Sequence, residues 1–504
     1  MGATRSCVTA DRRDDLLVVV ATALSLTIFL ARERMIAGAP GFPLDDSWIH
    51  LHFARNLAEG AGFAYNPGVP MAGSTAPLWT LLLAAGARVA GASIVMAKTL
   101  GVAAALAAAL LLRRAALAWG ASRPTALVTA IALCWSGPFA WGALSGMEVT
   151  LAALLVTIAM LALARGRLTL TALAGALATL ARPEAIVLLP LLALARRPTA
   201  RRLARFAAIV FVVLVPFVVF CWATTGTPIP ATASAKVEGG LLGRFIGIHE
   251  PARLTWIDRP LAFAREWVDW LALTHPILPL ALALPLIALA WRRSRVLGIV
   301  GLVLLVHPLA MALLAPYRGP GFQEGRYSIH LLPIAILVLA VAWTTVAQHV
   351  RWRRALVGSA VGVLYLAAAL ATLVPAAGRY AWGVQNINAM QVHLGHWVDE
   401  HLPRTATLAV NDIGAIAYFS RRPVIDLMGL VTPEIRPYRR EGEIGVLRFI
   451  TERCPDAVII FPEWFPQIAG MRELLTPIYR VRLERNEVSG APEMVVYRLT
   501  RCPV

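Results

Sequence analysis

Residues 16–31 read LLVVVATALSLTIFLA, an apolar run without a charged side chain. The run follows Arg12 and Arg13, as the apolar part of a signal peptide would. However, a charged triplet at 32–34 comes next, and no convincing small-x-small cleavage site follows it. We therefore interpret 16–31 as an uncleaved first membrane span.

The composition of the whole chain points to the same class of protein. The chain has 504 residues, of which 58% are hydrophobic and 15% are charged. Soluble domains carry roughly 25% charged residues, so these values exclude an ordinary soluble enzyme and a disordered chain. The apolar residues form long unbroken runs, unlike the short alternating segments of a β-barrel. The sequence predicts an α-helical polytopic membrane protein.

Basic clusters between the apolar runs predict how the chain crosses the membrane. Such clusters mark cytoplasmic loops, and keeping all of them on one side requires the run 75–90 to be re-entrant or interfacial. The clusters are Arg12-Arg13, Arg113-Arg114 with Arg123, Arg165 with Arg167, 196–205, 292–295 and 351–354. About eleven transmembrane helices then remain, in the runs 16–31, 95–112, 124–141, 148–164, 168–181, 184–195, 205–223, 276–291, 296–315, 328–347 and 355–375.

This topology predicts a multi-pass protein of the cytoplasmic (inner) membrane with a cytoplasmic N-terminus. We divide the chain into a transmembrane domain, 1–375, and a small C-terminal extracytoplasmic α/β domain, 376–504. The remaining outer segments are 32–94, 142–147, 224–275 and 316–327.

Two apolar runs, 168–181 and 184–195, are too short for ordinary spans and meet at Ala181-Arg182-Pro183-Glu184. They predict a broken helix pair whose charged apex needs a polar cavity. Arg182 is expected to pair with Glu184 or with another intramembrane acid, because a charged pair is the least costly arrangement there.

The C-terminal domain has a strand pattern. Strand-like runs alternate with helical stretches, which predicts an α/β fold. The strand-like runs are 407–410, 424–427 and 457–461, and the final segments, 479–485 and 494–499, predict an antiparallel pair.

The densest polar constellation lies just outside the first span, at 45–56, DDSWIHLHFARN. On a helix, Asp46 and His50 would share one face, with His52 and Arg55 about a third of a turn away. An aspartate that merely caps the helix is one explanation. The other is chemical: of two adjacent carboxylates, one can act as a base while its neighbour orients a ligand or binds a cation.

These residues belong to a wider set of motifs that resembles GT-C glycosyltransferases, and the motifs between 45 and 79 resemble the first outer loop of those enzymes. The pattern is similar to that of actinobacterial cell-wall arabinofuranosyltransferases and their uncharacterised bacterial relatives, and it covers most of the chain. The motifs are Asp45-Asp46, 54–57, Gly60-x-Gly62, 65–68, 77–79, Ser145-Gly146-Met147-Glu148, 181–184, Gly325-Arg326-Tyr327 and 411–416.

The resemblance implies a GT-C-like transmembrane domain whose first outer loop, 32–94, is catalytic. Such enzymes take a sugar from a polyprenyl-phosphate carrier and invert its anomeric carbon, with an acid of the outer loop as base. The resemblance points to Asp45 or Asp46, with Asp45 first because it leads the pair.

Further residues are candidates for substrate binding. Glu148, at the start of a span, is implied as a second acidic site residue, although it could simply cap its helix. Lys236 or Arg326 could neutralise the donor phosphate, although an arginine beside the membrane also contacts lipid headgroups. The substrate-binding candidates are His50, His52, Arg55, Glu148, Lys236, Arg326 and Tyr327.

Cofactors and partners are only partly indicated. The five cysteines lack the paired spacing of a zinc site and no Gly-rich phosphate loop is present, so no cofactor is assigned and a divalent cation stays open. The net charge is +18, and the basic residues lie mainly in short clusters between the apolar runs. This distribution favours membrane lipids over nucleic acid as partners. Cys454 and Cys502 could form a disulfide in an oxidising compartment.

The function predicted is an inverting transferase that moves a sugar from a polyprenyl-phosphate carrier onto a cell-envelope glycan, lipid or protein. A membrane transporter or lipid-linked-sugar flippase is the alternative, but it should concentrate polar residues at the midplane rather than in outer loops. A noncatalytic assembly subunit would tolerate neutral replacement of Asp45 and Asp46.

Overall fold

The computed structural model describes residues 2–290, 295–349 and 354–500. The protein is a mostly helical, polytopic membrane protein with a small C-terminal sheet. The first part of the chain contains helices α1 Gly2–Ile36, α2 Asp46–Ala58, α3 Pro77–Ala90, α4 Ile94–Ala118, α5 Arg123–Cys134, α6 Gly137–Leu144, α7 Val149–Ala164, α8 Leu168–Ala181, α9 Leu188–Leu194 and α10 Ala200–Thr225.

The remaining helices of the membrane part are short helices and a second set of apolar ones. They are α11 Ala231–Ala235, α12 Gly240–Phe245, α13 Arg259–Thr274, α14 Leu280–Ala290, α15 Arg295–Gly301, α16 Val303–Leu314, α17 Phe322–Gly325, α18 Leu332–His349 and α19 Arg354–Ile387. Short 3₁₀ or π turns occur at Pro183–Val187, Leu254–Asp258, Ile329–Leu331 and Asn388–Val392.

Six helical segments among the described residues are long and apolar enough to cross a membrane, or seven if the bent pair α5 and α6 forms one span. Shorter apolar helices, α3, α7, α8 and the Pro183–Leu194 segment, accompany them. The count of eleven spans stays a prediction. The six segments are Asp11–Ile36, Ile94–Ala118, Ala200–Thr225, Arg295–Leu314, Ile329–Gln348 and Gly362–His401.

The broken pair is a helical hairpin. The side chains of Leu189 and Leu192 lie against Gly175, and Arg196 donates to the carbonyl of Ala164, so the second arm runs back alongside α8. The apex is Arg182-Pro183-Glu184, because proline cannot continue a hydrogen-bonded helix. The expected break is therefore present.

The C-terminal sheet contains five strands in the order β2-β1-β3-β5-β4. β1 is parallel to β2 and β3, whereas β5 is antiparallel to β3 and β4. The strand runs and the final antiparallel pair predicted from the sequence are confirmed. The elements are β1 Leu408–Val410, β2 Val424–Asp426, β3 Ala457–Ile460, β4 Leu475–Arg482 and β5 Glu493–Leu499, with α20 His393–His401, α21 Gly414–Ser420, α22 Arg436–Arg439, α23 Glu443–Arg453 and α24 Pro466–Gly470. Of the possible disulfide, Cys502 lies outside the described residues.

The two parts of the chain are joined continuously. Helix α19 passes through Pro375, the expected domain boundary, and ends at Ile387. The first outer loop also packs on the C-terminal domain: Phe53 and Tyr65 share a hydrophobic core with residues of the sheet such as Val410. This shared core holds α2 at the interface between the membrane part and the sheet.

Candidate functional site

Helix α2 forms the centre of the site. Residues 47 to 56 of this helix are all buried, and Ser47 Oγ donates to the carbonyl of Ser145 over 2.7 Å. Trp48 packs against Phe42 on one side and Tyr418 on the other. These contacts fix the N-terminal turn of α2, where the two aspartates lie.

Asp46 lies between two cations. Arg326 Nη1 donates to its Oδ2 over 2.7 Å, and Lys236 Nζ is 3.4 Å from the same oxygen. Arg326 Nη2 also donates to the Tyr327 hydroxyl over 3.0 Å. Although burial alone would raise it, the charges of Lys236 and Arg326 hold the pKa of Asp46 well below its usual range.

Asp45 is bound differently. It makes no capping bond to its own helix, but its two oxygens accept the backbone N–H groups of Gly414, at 2.6 Å, and Ala415, at 2.8 Å. These amides open helix α21, so Asp45 caps a helix of the C-terminal domain. Its neighbour Asp412 accepts a bond from Gln391 Nε2 over 2.7 Å. Burial and the adjacent Asp412 carboxyl raise the pKa of Asp45 above its ordinary value.

His50 and Glu148 begin a second polar network. His50 Nε2 is 3.4 Å from Glu148 Oε2, and Glu148 also pairs with Arg182. Arg182 Nε in turn lies 3.0 Å from Glu184, so Arg182 pairs with both acids, as expected. The Arg182 guanidinium lies 4.6 Å from the centre of the Tyr327 ring, which connects this network to Arg326. Burial lowers the pKa of His50 below its ordinary value, which favours a neutral imidazole.

His52 and Arg55 lie elsewhere. Arg55 Nη2 donates to His52 Nδ1 over 3.0 Å, so His52 Nε2 carries the proton that it donates to the Tyr65 carbonyl. Arg55 Nη1 donates to the carbonyl of Tyr418 over 2.6 Å. Burial and Arg55 lower the pKa of His52 to about 3. Arg55 therefore joins the outer loop to the C-terminal domain, and His52 holds Arg55 from within the loop. Neither side chain lines the cavities described next.

Two cavities meet at Asp46. The first, which we call the apolar cavity, has a volume of about 370 Å³ and walls such as Ile186, Val187, Leu242, Met311 and Leu314. The second, the polar cavity, has a volume of about 670 Å³ and includes Asp45, Arg379, Gln391, Asp412, Trp464 and Ser489. Five described residues line both cavities: Asp46, Lys236, Tyr317, Arg318 and Arg326.

The cavities also contain residues that the sequence did not single out. His307 lines the apolar cavity, where its Nε2 lies 3.0 Å from Ser328 Oγ. Its only sequence signal is a polar residue inside an apolar run. Tyr317 and Arg318 could have been found, because they precede the Gly325-Arg326-Tyr327 motif in one short outer segment. The charged hairpin apex, Arg182 with Glu184, lines the apolar cavity, whereas the sequence predicted a polar cavity at this place. The two side chains pair with each other there.

The residues that the structure describes contain no group of three or more His, Cys, Asp and Glu side chains positioned to hold a metal ion. The cations near Asp46 are instead the side chains of Lys236 and Arg326.

The Asp45–Asp412 pair leads to a pH-dependent prediction. Both pKa values are raised by burial, so their contribution to stability is present at low pH and is lost as the pH rises through the folded-state values. Asp412→Asn can keep the bond from Gln391 and donate to Asp45. We expect this variant to be more stable than the wild type by about 1 kcal/mol at pH 8 and to lose that advantage near pH 4. Thermal unfolding across this range measures the difference, and parallel curves for the two proteins would contradict it.

Similarity to known proteins is limited in sequence and extensive in structure. Residues 385–497 match a family described as "Domain of unknown function (DUF8728)". No curated protein matches the chain by sequence.

Several solved structures are similar to this chain. ArnT from Cupriavidus metallidurans bound to undecaprenyl phosphate is 15% identical, with a TM-score of 0.56 over 96% of this chain and 98% of that chain. The archaeal oligosaccharyltransferase AglB from Archaeoglobus fulgidus, in complex with an inhibitory peptide and a dolichol-phosphate, is 12% identical, with a TM-score of 0.55 over 88% of this chain and 69% of that chain. Arabinofuranosyltransferase AftD from Mycobacteria is 18% identical, with a TM-score of 0.48 over 96% of this chain and 41% of that chain. The protein shares its fold with ArnT and with the archaeal oligosaccharyltransferase AglB, as the resemblance of its motifs to GT-C glycosyltransferases implied.

Proposed function

We propose that this protein is an inverting membrane glycosyltransferase that moves a sugar from a polyprenyl-phosphate carrier to a cell-envelope glycan, lipid or protein at the outer face of the cytoplasmic membrane. The observation that carries the proposal is the position of Asp46, a carboxylate at the junction of an apolar and a polar cavity, beside two cations. An apolar cavity suits a lipid chain, and a polar one suits a hydroxyl-bearing acceptor.

The solved structures of similar fold support a lipid-phosphate donor. Undecaprenyl phosphate is bound in one, and a dolichol-phosphate in another. In this chain, Lys236 and Arg326 are two of the cations that line the apolar cavity where it meets the polar one. A guanidinium and an ammonium together can hold a phosphate and stabilise the charge that develops on it.

The reaction follows from this arrangement. Asp46 removes the proton of the acceptor hydroxyl as that oxygen attacks C1 of the donor sugar from the polar cavity. The bond between C1 and the phosphate oxygen breaks, and its electron pair goes to the phosphate beside Arg326 and Lys236. Because phosphate is a good leaving group, one base and two cations form a sufficient set. Attack from the side opposite the phosphate inverts C1.

The geometry favours Asp46 over Asp45 as the base, the reverse of the order expected from the sequence. Asp45 is 6% exposed and both of its oxygens accept backbone bonds, whereas the side chain of Asp46 is 28% exposed and lines both cavities. Asp45 and Arg55 are better explained as residues that fix the outer loop on the C-terminal domain, and His52 as a residue that holds Arg55. His50 and Glu148 orient the polar network next to Asp46.

Mass analysis of envelope glycans and lipid carriers, with and without this protein, tests the function. We expect cells that lack the protein to accumulate the polyprenyl-phosphate sugar and to lose one sugar from an envelope acceptor. Undisturbed glycans with an altered sidedness of the carrier would instead indicate a flippase.

The role of Arg326 can be tested separately with undecaprenyl phosphate. Arg326→Met removes a guanidinium that can make charge-assisted bonds of roughly 1.5–3 kcal/mol to a phosphate, so we expect the Kd to rise about 10- to 100-fold. Arg326→Lys keeps the charge without the planar fork and should fall between the two. Arg253→Met, at a side chain that is 82% exposed, serves as the control. An unchanged Kd in Arg326→Met would remove Arg326 from the phosphate site.

A further inference from the structure

One carboxylate oxygen of Asp46 accepts hydrogen bonds from both Arg326 and Lys236. Asp46 Oδ2 is 2.7 Å from Arg326 Nη1 and 3.4 Å from Lys236 Nζ. Arg326 is only 5% exposed, its Nη2 is bound to Tyr327, and its Nε has no hydrogen-bond partner among the described residues. A phosphate that binds Arg326 and Lys236 therefore meets cations that already hold a carboxylate.

We propose that the phosphate of the lipid carrier displaces Asp46 from Arg326 and Lys236, so that this carboxylate becomes free to accept a proton only while the donor occupies its cavity. The inference rests on the proposed function and adds an order of events to it. The donor binds first, and an acceptor that arrives alone meets a carboxylate that is held in ion pairs.

Electrostatics gives the reason for this order. A carboxylate between two cations is a weak base, because the cations stabilise its charged form. A phosphodiester carries one negative charge, which neutralises part of the cationic field when it binds beside Lys236 and Arg326. The affinity of Asp46 for a proton then rises at the moment when a donor is present to react. The same competition reduces the affinity of the empty site for phosphate, since two anions that need the same partners oppose each other.

The charges also balance after transfer. The acceptor proton resides on Asp46, and the electron pair of the broken C1–O bond gives the carrier phosphate one additional negative charge. Asp46 opens to the polar cavity and can release its proton there. The ionised carboxylate then pairs again with Arg326 and Lys236 and competes with the spent carrier for them, which promotes its release.

Binding of undecaprenyl phosphate alone to the full-length protein in lipid nanodiscs tests the inference. Asp46→Asn removes the competing charge and keeps the side-chain shape, so we expect the Kd to fall at least about tenfold. Asp46→Ala, which has no amide, should show the same direction. If Asp46 did not compete for these cations, its replacement would lower the Kd no more than the removal of any nearby negative charge does.

Glu238→Gln measures that general effect. Glu238 lines the polar cavity, and its carboxylate forms no ion pair within the described part of the chain. Thermal unfolding first shows that Asp46→Asn and Asp46→Ala are folded. If these two variants then bind undecaprenyl phosphate no more tightly than Glu238→Gln, the displacement is refuted. Loss of transfer in those variants would still leave Asp46 as the base. If Asp46→Asn instead transfers sugar at the wild-type rate, the proposed catalytic role fails whatever its affinity.

Discussion

Replacing Asp46 with asparagine is expected to lower the rate of sugar transfer by about 10²- to 10⁴-fold, the usual effect of losing a general base. The amide keeps the shape of the side chain and can still accept a hydrogen bond from Arg326, so the protein should insert and fold normally. The carrier lipid with its sugar is extracted from cells that lack this protein. The rate of sugar transfer from that lipid is then measured with the purified variants.

Asp45→Asn provides the comparison. Asp45 holds the first turn of α21, and loss of a helix cap lowers stability by about 1 kcal/mol while leaving chemistry largely intact. We therefore expect a less stable protein with a much smaller loss of transfer than in Asp46→Asn. If both single variants transfer sugar at nearly the wild-type rate, the mechanism is wrong and a transporter becomes the better explanation.

Arg182→Met is expected to lower the free energy of unfolding by about 3–5 kcal/mol, the effect of leaving a buried charge without its partner. Glu148 is 1% exposed and Glu184 is 21% exposed, and both pair with Arg182 at the hairpin apex. A low folded yield in detergent and a lower unfolding temperature would be the measured result.

A second substitution separates charge from packing. Adding Glu148→Gln to Arg182→Met neutralises the more deeply buried partner and should restore a large part of the lost stability. A double variant as unstable as Arg182→Met would mean that the arginine acts through its packing on Tyr327. A single variant as stable as the wild type would contradict the buried ion pair altogether.

Much of the architecture could be predicted from local sequence. Apolar runs identify helices because a segment in a membrane must satisfy its backbone hydrogen bonds within itself. The strands of the C-terminal domain follow short runs rich in β-branched residues. The hairpin apex was visible because Arg182-Pro183-Glu184 interrupts an apolar stretch. The number of spans is harder to predict, since helices such as α7 and α8 are shorter than a full crossing.

The detailed roles of the two aspartates could not be predicted. Asp45 and Asp46 are neighbours in sequence and both precede a helix, so local rules give them the same alternatives. What separates them is contact with distant residues: Gly414 lies 369 positions beyond Asp45, and Arg326 lies 280 beyond Asp46. His52 and Arg55 likewise resemble ligand-binding residues in the sequence. In the structure, however, His52 donates to the carbonyl of Tyr65 and Arg55 donates to the carbonyl of Tyr418.

The shared core of the first outer loop and the C-terminal sheet also sets when the site around α2 can form during synthesis. Tyr65 donates to the carbonyl of Ile413, which is added 348 residues later. At about 5–20 residues per second, the ribosome needs roughly 20–70 seconds to supply that partner. Until then Asp45 lacks the backbone N–H groups of Gly414 and Ala415, and Arg55 lacks the carbonyl of Tyr418. A chain that stops before Ile413 therefore does not contain the partners that fix α2 beside the two cavities.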